Sequence, residues 1–177
     1  MTAPGMPIDP SVLHLPRGDL LLVVDVARQE LAVLDGMMEW TRFPVSTSRL
    51  GLGELVDSQR TPRGLHRVVE RFGERNEIGS VFVSRKFTGE VLPPAAWREG
   101  EGDRILSRIL RLAGARPGLN AGGAIDTYQR MIYLHGTNHE ECVGVTPSSH
   151  GCIRMTNRDI VALYDRIRDR EAWCWIG

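Results

Sequence analysis

The sequence predicts a mainly β protein, a β-sandwich with two or three short helices packed at its edge. Short aliphatic and β-branched runs recur at strand-like intervals along the 177 residues, and Gly, at 19 residues, punctuates them with turns. Only two segments carry apolar residues at helical spacing. Taken in order, residues 1–18 hold Pro4, Pro7, Pro10 and Pro16 and read as an extended arm. Leu20 to Val26 is a buried strand, Gln29 to Leu34 its hairpin partner after a turn at Ala27-Arg28, and Met38 to Val45 a third strand after Asp35-Gly36. Residues 46–64 are a long loop with Gly51, Gly53, Pro62 and Gly64, and long loops in compact domains are usually functional or disordered. Leu65 to Arg71 and Ser80 to Phe87 are two more strands, and Pro93-Pro94 opens an irregular connection. Ile105, Leu106, Ile109, Leu110 and Leu112 predict a helix over Asp103 to Ala113, with Asp103 as its cap. A glycine-rich loop over 114–125 leads to a strand, Met131 to Leu134, that ends on His135. Thr156 or Asn157 caps a second helix through Ile160, Leu163, Tyr164 and Ile167, with Asp159 in its first turn; Trp173 to Ile176 is a final strand.

Length and composition bound what such a chain does. Hydrophobic content of 42% and charged content of 25% suit a globular protein able to bury a core, and residues 19–177 read as one domain. Lys+Arg and Asp+Glu both number 22, so bulk charge gives no reason to expect nucleic acid or an acidic membrane surface. No run approaches the ~20 apolar residues of a membrane span. The N-terminal stretch lacks the basic-then-apolar pattern of an export leader. The expected location is therefore the cytoplasm, or the periplasm if a leader has been trimmed away. Cys142, Cys152 and Cys174 make an odd count, which fits a reducing compartment or a single reactive thiol better than a disulfide framework.

The chemistry concentrates in Ser148-Ser149-His150-Gly151-Cys152-Ile153-Arg154-Met155, with His135-Gly136-Thr137 upstream. A cysteine beside glycine and histidine, with a second histidine ending a strand, is the equipment of thiolate acyl transfer: a nucleophile, a proton acceptor and room for a carbonyl. Cys152 is the nucleophile; a bare Gly-Cys-Ile triplet would read as core packing, but the two histidines turn the reading. On an extended backbone His150, Cys152 and Arg154 share a face. Gly151 lets a substrate approach, and the Gly151 and Cys152 amides are natural oxyanion donors. Arg154 is a surface charge, a clamp on a substrate carboxylate or a support of the catalytic loop. Tyr133, alternating with His135, either lines the cleft or sits in the core. A zinc site from His135, His139, Cys142, His150 and Cys152 is the rival chemistry, but the spacings match no familiar zinc motif and His135-x-x-x-His139 lacks the glutamate after its first histidine. No metal is expected.

These residues resemble the active-site signature of the L,D-transpeptidase (YkuD) family. Thr61-Pro62-Arg63-Gly64 resembles the family's upstream Thr-Pro-x-Gly turn, and Ser46-Thr47-Ser48 lies where Ser-Thr-Gly is usual; the resemblance spans roughly residues 19–176. It implies that His135 is the general base, its ring held by a backbone carbonyl from Gly136 or Thr137, and that His150 positions the site. It places Gly136 with the backbone groups of the site, and Thr137 and Ser149 with Arg154 and Tyr133 among the substrate-binding residues. The implied substrate is a peptidoglycan stem peptide, cut before its terminal D-alanine through a Cys152 thioester. No cofactor is implied, and carbapenems, which resemble the acyl donor, are expected inhibitors. The missing leader favours hydrolysis of soluble muropeptides in murein recycling, as an L,D-carboxypeptidase. The alternatives are 3→3 cross-linking or D-amino-acid exchange in cell-wall synthesis and, more remotely, a non-catalytic wall-peptide binding module. Cys142 and the polar cluster His139, Glu140 and Glu141 lie in a loop between the two halves of the signature.

Overall fold

A computed structural model describes residues 7–98 and 100–177. Ten strands form one unclosed sheet: β1 (Leu20–Asp25), β2 (Glu30–Asp35), β3 (Met38–Pro44), β4 (Gly64–Phe72), β5 (Ser80–Val83), β6 (Lys86–Val91), β7 (Ile105–Gly114), β8 (Tyr133–Thr137), β9 (Ile153–Met155) and β10 (Ala172–Ile176). The strand order is β3-β2-β1-β10-β4-β7-β5-β6, with β8 paired to β7 and β9 paired in parallel to β8. One α-helix, α1 (Asn157–Ile167), joins four short 3₁₀ turns among the described residues, and no helix there is long and apolar enough to cross a membrane.

β1 explains why its sequence is a continuous apolar run. Leu20, Leu22 and Val24 enter the main core, while Leu21 and Val23 enter a second cluster on the opposite face. That second face is covered by Ile8, Leu13 and Leu15 from the N-terminal arm. The arm is thus not simply extended: Pro10–Leu13 form a 3₁₀ turn whose first amides are capped by Asp9, and residues 1–6 lie outside the described residues.

α1 begins where Thr156 accepts the Asp159 amide at 3.1 Å, and buries Ile160, Leu163, Tyr164 and Ile167 at i, i+3, i+4 and i+7. It packs against β7 and β8 and closes the main core over Leu110, Leu112, Leu134, Ile153 and Met155.

Two expectations are corrected. The helix over Asp103 to Ala113 is strand β7, and Asp103 caps nothing. β7 is buried along most of its length, and its pairing with β8 shifts register between Leu106 and Ile109. Ser107, at φ +66°, marks the bulge. An inserted residue in a strand buried on both faces puts Leu106, Ile109 and Leu110 at intervals that imitate a helix. Ser80 to Phe87 is not one strand but the hairpin β5–β6, turned by Ser84 and Arg85 at φ +47° and +66°.

Candidate active site

β7, β8 and β9 lie side by side, and their register assembles the site. Leu134 pairs with Ile153 and His135 with Arg154. Leu134 and Ile153 point into the main core, so alternation sends Tyr133, His135 and Arg154 to the opposite face. There Cys152 packs against Phe82, Ile109 and Tyr133.

The His135 ring is buried, and its Nδ1 lies 2.8 Å from the Gly136 carbonyl oxygen. A carbonyl only accepts, so Nδ1 carries the hydrogen and Nε2 is left bare as a base. Burial pushes the His135 pKa down; the Gly136 carbonyl and the Asp103 carboxylate oppose that shift, and Arg154 adds to it. Gly136 itself is buried tightly: a Cβ there would meet Asn157 Oδ1 at 2.5 Å and the Leu106 carbonyl at 2.7 Å.

Cys152 is partly buried. Its sulfur accepts the Tyr133 amide at 3.4 Å, and its thiol faces the Met131 carbonyl at 3.6 Å. Burial pushes the thiol up to about 11, against the Tyr133 N–H and the positive charges of Arg154 and Arg130. Both shifts favour the uncharged forms, thiol and imidazole, over a standing ion pair. No hydrogen bond joins the two side chains in this state. Cys152 packs against Tyr133, two residues before His135 on β8, and side-chain rotation with substrate closure has to bring sulfur and imidazole together.

The turn before Cys152 is braced by the upstream motifs. Thr61 Oγ1 donates to the Gly151 carbonyl at 2.9 Å and accepts the Ser48 amide at 3.0 Å. Ser46 and Arg154 exchange backbone hydrogen bonds at 2.8 and 2.9 Å, and the Thr47 carbonyl accepts the Ser148 and Ser149 amides. Gly151 takes φ +128°, a region open to glycine, so residues 149–152 bend and the extended strand starts only at Ile153. His150 therefore does not share the strand face expected of it with Cys152 and Arg154. Its ring is exposed and meets Asp103, with Nδ1 3.1 Å from Oδ2.

Asp103 is the site residue that sequence reasoning missed. Its carboxylate bonds both His150 and the buried Arg154 guanidinium, which also donates to Ser148 Oγ at 2.9 Å. Burial disfavours its charge, yet Arg154, His135 and His150 together hold its pKa below the ordinary value. Arg154 is thus committed inside the protein and supports the loop rather than reaching for a substrate carboxylate.

Other residues expected to touch substrate are turned inward. Thr137 is fully buried, its hydroxyl accepting the His139 amide at 3.1 Å and its carbonyl accepting Asn157 Nδ2 at 2.8 Å. Ser149 is buried too; its hydroxyl bonds the Cys152 carbonyl and accepts the Gly151 amide at 3.2 Å. That commitment removes the Gly151 N–H as a ready oxyanion donor. Tyr133 is buried, with its hydroxyl accepting from Arg85 at 2.9 Å.

Two pockets flank His150. One, of about 270 Å³, is lined by Val56, Asp57, Gln59, Gln129, Arg130, Met131, Ile132 and His150. The other, of about 340 Å³, is lined by Gly102, Asp103, His139, Cys142, Ser148, His150 and Arg154.

Residues 19–173 match the model of the YkuD family, the L,D-transpeptidase catalytic domain. No match is found among curated protein sequences. Among solved structures, an L,D-transpeptidase from Mycobacterium smegmatis is similar at TM-score 0.54 and 19% identity, covering 90% of this chain and 58% of that one. The L,D-transpeptidase from Xylanimonas cellulosilytica gives 0.55 and 15%, covering 92% and 62%. L,D-transpeptidase 3 from Mycobacterium tuberculosis, solved with a faropenem-derived adduct, gives 0.53 and 16%, covering 89% and 60%. This chain therefore spans about three fifths of the length of those proteins, and at such identities the likeness is one of fold.

Proposed function

Since this chain belongs to the YkuD family of L,D-transpeptidase catalytic domains, we propose that it is a cysteine acyl-transfer enzyme acting on peptidoglycan stem peptides. The observation that carries the proposal is the 2.8 Å contact of His135 Nδ1 with the Gly136 carbonyl, which assigns the hydrogen to Nδ1 and leaves Nε2 bare on the sheet face where Cys152 packs. In the first half-reaction the thiol gives its proton to Nε2 as sulfur attacks the carbonyl of the third stem residue. The Cys152 amide is the donor assigned to the oxyanion. The C–N bond then breaks, the D-alanine amine leaves with the proton from His135, and a thioester remains on Cys152. In the second half-reaction an acceptor attacks that thioester while His135 takes the acceptor's proton. Water gives a tripeptide; the side-chain amine of another stem gives a 3→3 cross-link.

The test is incubation of the pure protein with a disaccharide tetrapeptide and separation of the products. Release of D-alanine with tripeptide or with dimers supports the proposal, and the ratio of the two identifies the acceptor. Unchanged substrate, or release that persists in Cys152→Ala, overturns it. The faropenem-derived adduct on a structural neighbour supports a β-lactam as a second probe of Cys152.

A further inference from the structure

Arg130 is a cation built into the wall beside the nucleophile without an anion to balance it. Its Nη1 donates to the Gly53 carbonyl at 3.2 Å, and its Nη2 to the Arg60 carbonyl at 2.6 Å and Ser58 Oγ at 3.3 Å. All three acceptors are neutral. Among the described residues it forms no ion pair. Glu54, whose charge it feels, is already held by Arg63 at 2.8 Å, and Asp57, exposed on the same pocket rim, does not reach it. A partly buried guanidinium in this setting still carries its charge, and an unpaired one is costly to keep out of water.

Its place is what gives the charge meaning. Arg130 lines the pocket shared by Met131, Ile132 and His150. The Met131 carbonyl faces the Cys152 thiol, and the Arg60 carbonyl that Arg130 holds lies 3.4 Å from where a Gly151 side chain would begin. The other arginines near the site are engaged differently: Arg154 pairs with Asp103, and Arg85 donates to the Tyr133 hydroxyl.

We propose that Arg130 receives a substrate carboxylate flanking the scissile carbonyl, so that the acyl donor is an anionic stem rather than an amidated one. This rests on the acyl-transfer reading above and names the donor's charge. The carboxylate has two sources, the C-terminus of the leaving D-alanine and a side-chain carboxylate on the third residue, and the assay separates them.

The experiment measures kcat and KM for wild type, Arg130→Gln and Arg130→Lys on three tetrapeptides: one with both carboxylates free, one with its C-terminus amidated, and one with the third-residue carboxylate amidated. Wild type is expected to show KM raised about 10- to 100-fold on one of the two amides, which identifies the source. Arg130→Gln is expected to show a similar rise on the free acid, no further rise on that amide, and little change in kcat; Arg130→Lys is expected to recover part of the loss. Indifference of the wild type to both amidations overturns the inference while leaving the enzyme reading intact. An equal loss on all three substrates in Arg130→Gln, with slower iodoacetamide alkylation of Cys152, overturns it in favour of a role toward the sulfur itself. A wild type inert on every tetrapeptide overturns the acyl-transfer reading instead. If Arg130→Gln does not fold, the wild-type comparison of free and amidated substrates still decides.

Discussion

In the proposed reaction a thiol pushed up to about 11 and an imidazole pushed below its usual value exchange one proton as sulfur becomes the nucleophile. Burial causes both shifts, and it disfavours a standing thiolate–imidazolium pair. Transfer is then coupled to attack, when the developing oxyanion takes over the charge. Alkylation of the resting enzyme by iodoacetamide should accordingly rise with pH toward a midpoint near 11 rather than the ordinary 9.0, read as the rate of mass gain on Cys152. Because the depressed His135 stays neutral below the usual histidine range, the acid limb of kcat/KM should fall at a pH below 6.5. Asp103 opposes the depression of His135, so Asp103→Asn should move that limb lower still, and it should loosen Arg154 and His150. Cys152 and His135 were legible as candidates because residue type and spacing mark them, and the structure places both on one face of the sheet. Asp103 was not: its partners Arg154 and His150 lie some fifty residues away in the chain, and nothing local distinguishes it from a helix cap.

The turn that carries Cys152 is held from outside its own strand. Thr61, from the long loop, ties both the Gly151 carbonyl and the Ser48 amide, which accounts for the Thr-Pro-Arg-Gly and Ser-Thr-Ser segments in one contact set. Thr61→Val removes a buried donor and acceptor while keeping the shape. It should cost about 1–3 kcal/mol of stability in a denaturant titration, and lower kcat at least about tenfold through misplacement of the sulfur. At the start of α1, Thr156→Ala should cost about 1 kcal/mol with little effect on the chemistry. α1 was readable because its apolar stripe keeps one period from end to end. β7 was not, because a bulge at Ser107 breaks strand alternation where both faces are buried and Arg108 and Arg111 are buried too. The β5–β6 turn escaped for a related reason: Ser84 and Arg85 take left-handed backbone angles without the glycine or asparagine that usually announces them.

Across the whole molecule, one sheet serves two purposes. Its β1–β2–β10–β4 part is sandwiched between α1's core and the N-terminal arm, and β7, β8 and β9 present the candidate site on the face away from that core. The mainly β class was legible because it rests on many short segments whose errors are independent, whereas the overhanging pockets depend on loops whose partners are distant in sequence. Two buried histidines set the response of the fold to acid. Burial lowers His66 to about 4 and depresses His135 as well, while both bind protons near 6.5 when the chain unfolds. Unfolding therefore takes up protons between those values, so stability is full above about 6.5 and falls as pH drops toward 4. His66 alone should account for about 3 kcal/mol of that loss, measured as the urea midpoint across the range; His66→Gln should flatten the curve.

The claim on which the rest depends is proton transfer from Cys152 to His135. Intact-mass spectrometry of acylation by a carbapenem, followed in time for wild type, Cys152→Ala and His135→Ala, tests it directly. The account predicts one adduct per chain that maps to Cys152, none in Cys152→Ala, and a rate at least about a hundredfold lower in His135→Ala. Wild-type acylation in His135→Ala, or an adduct that maps to Cys142, would contradict it.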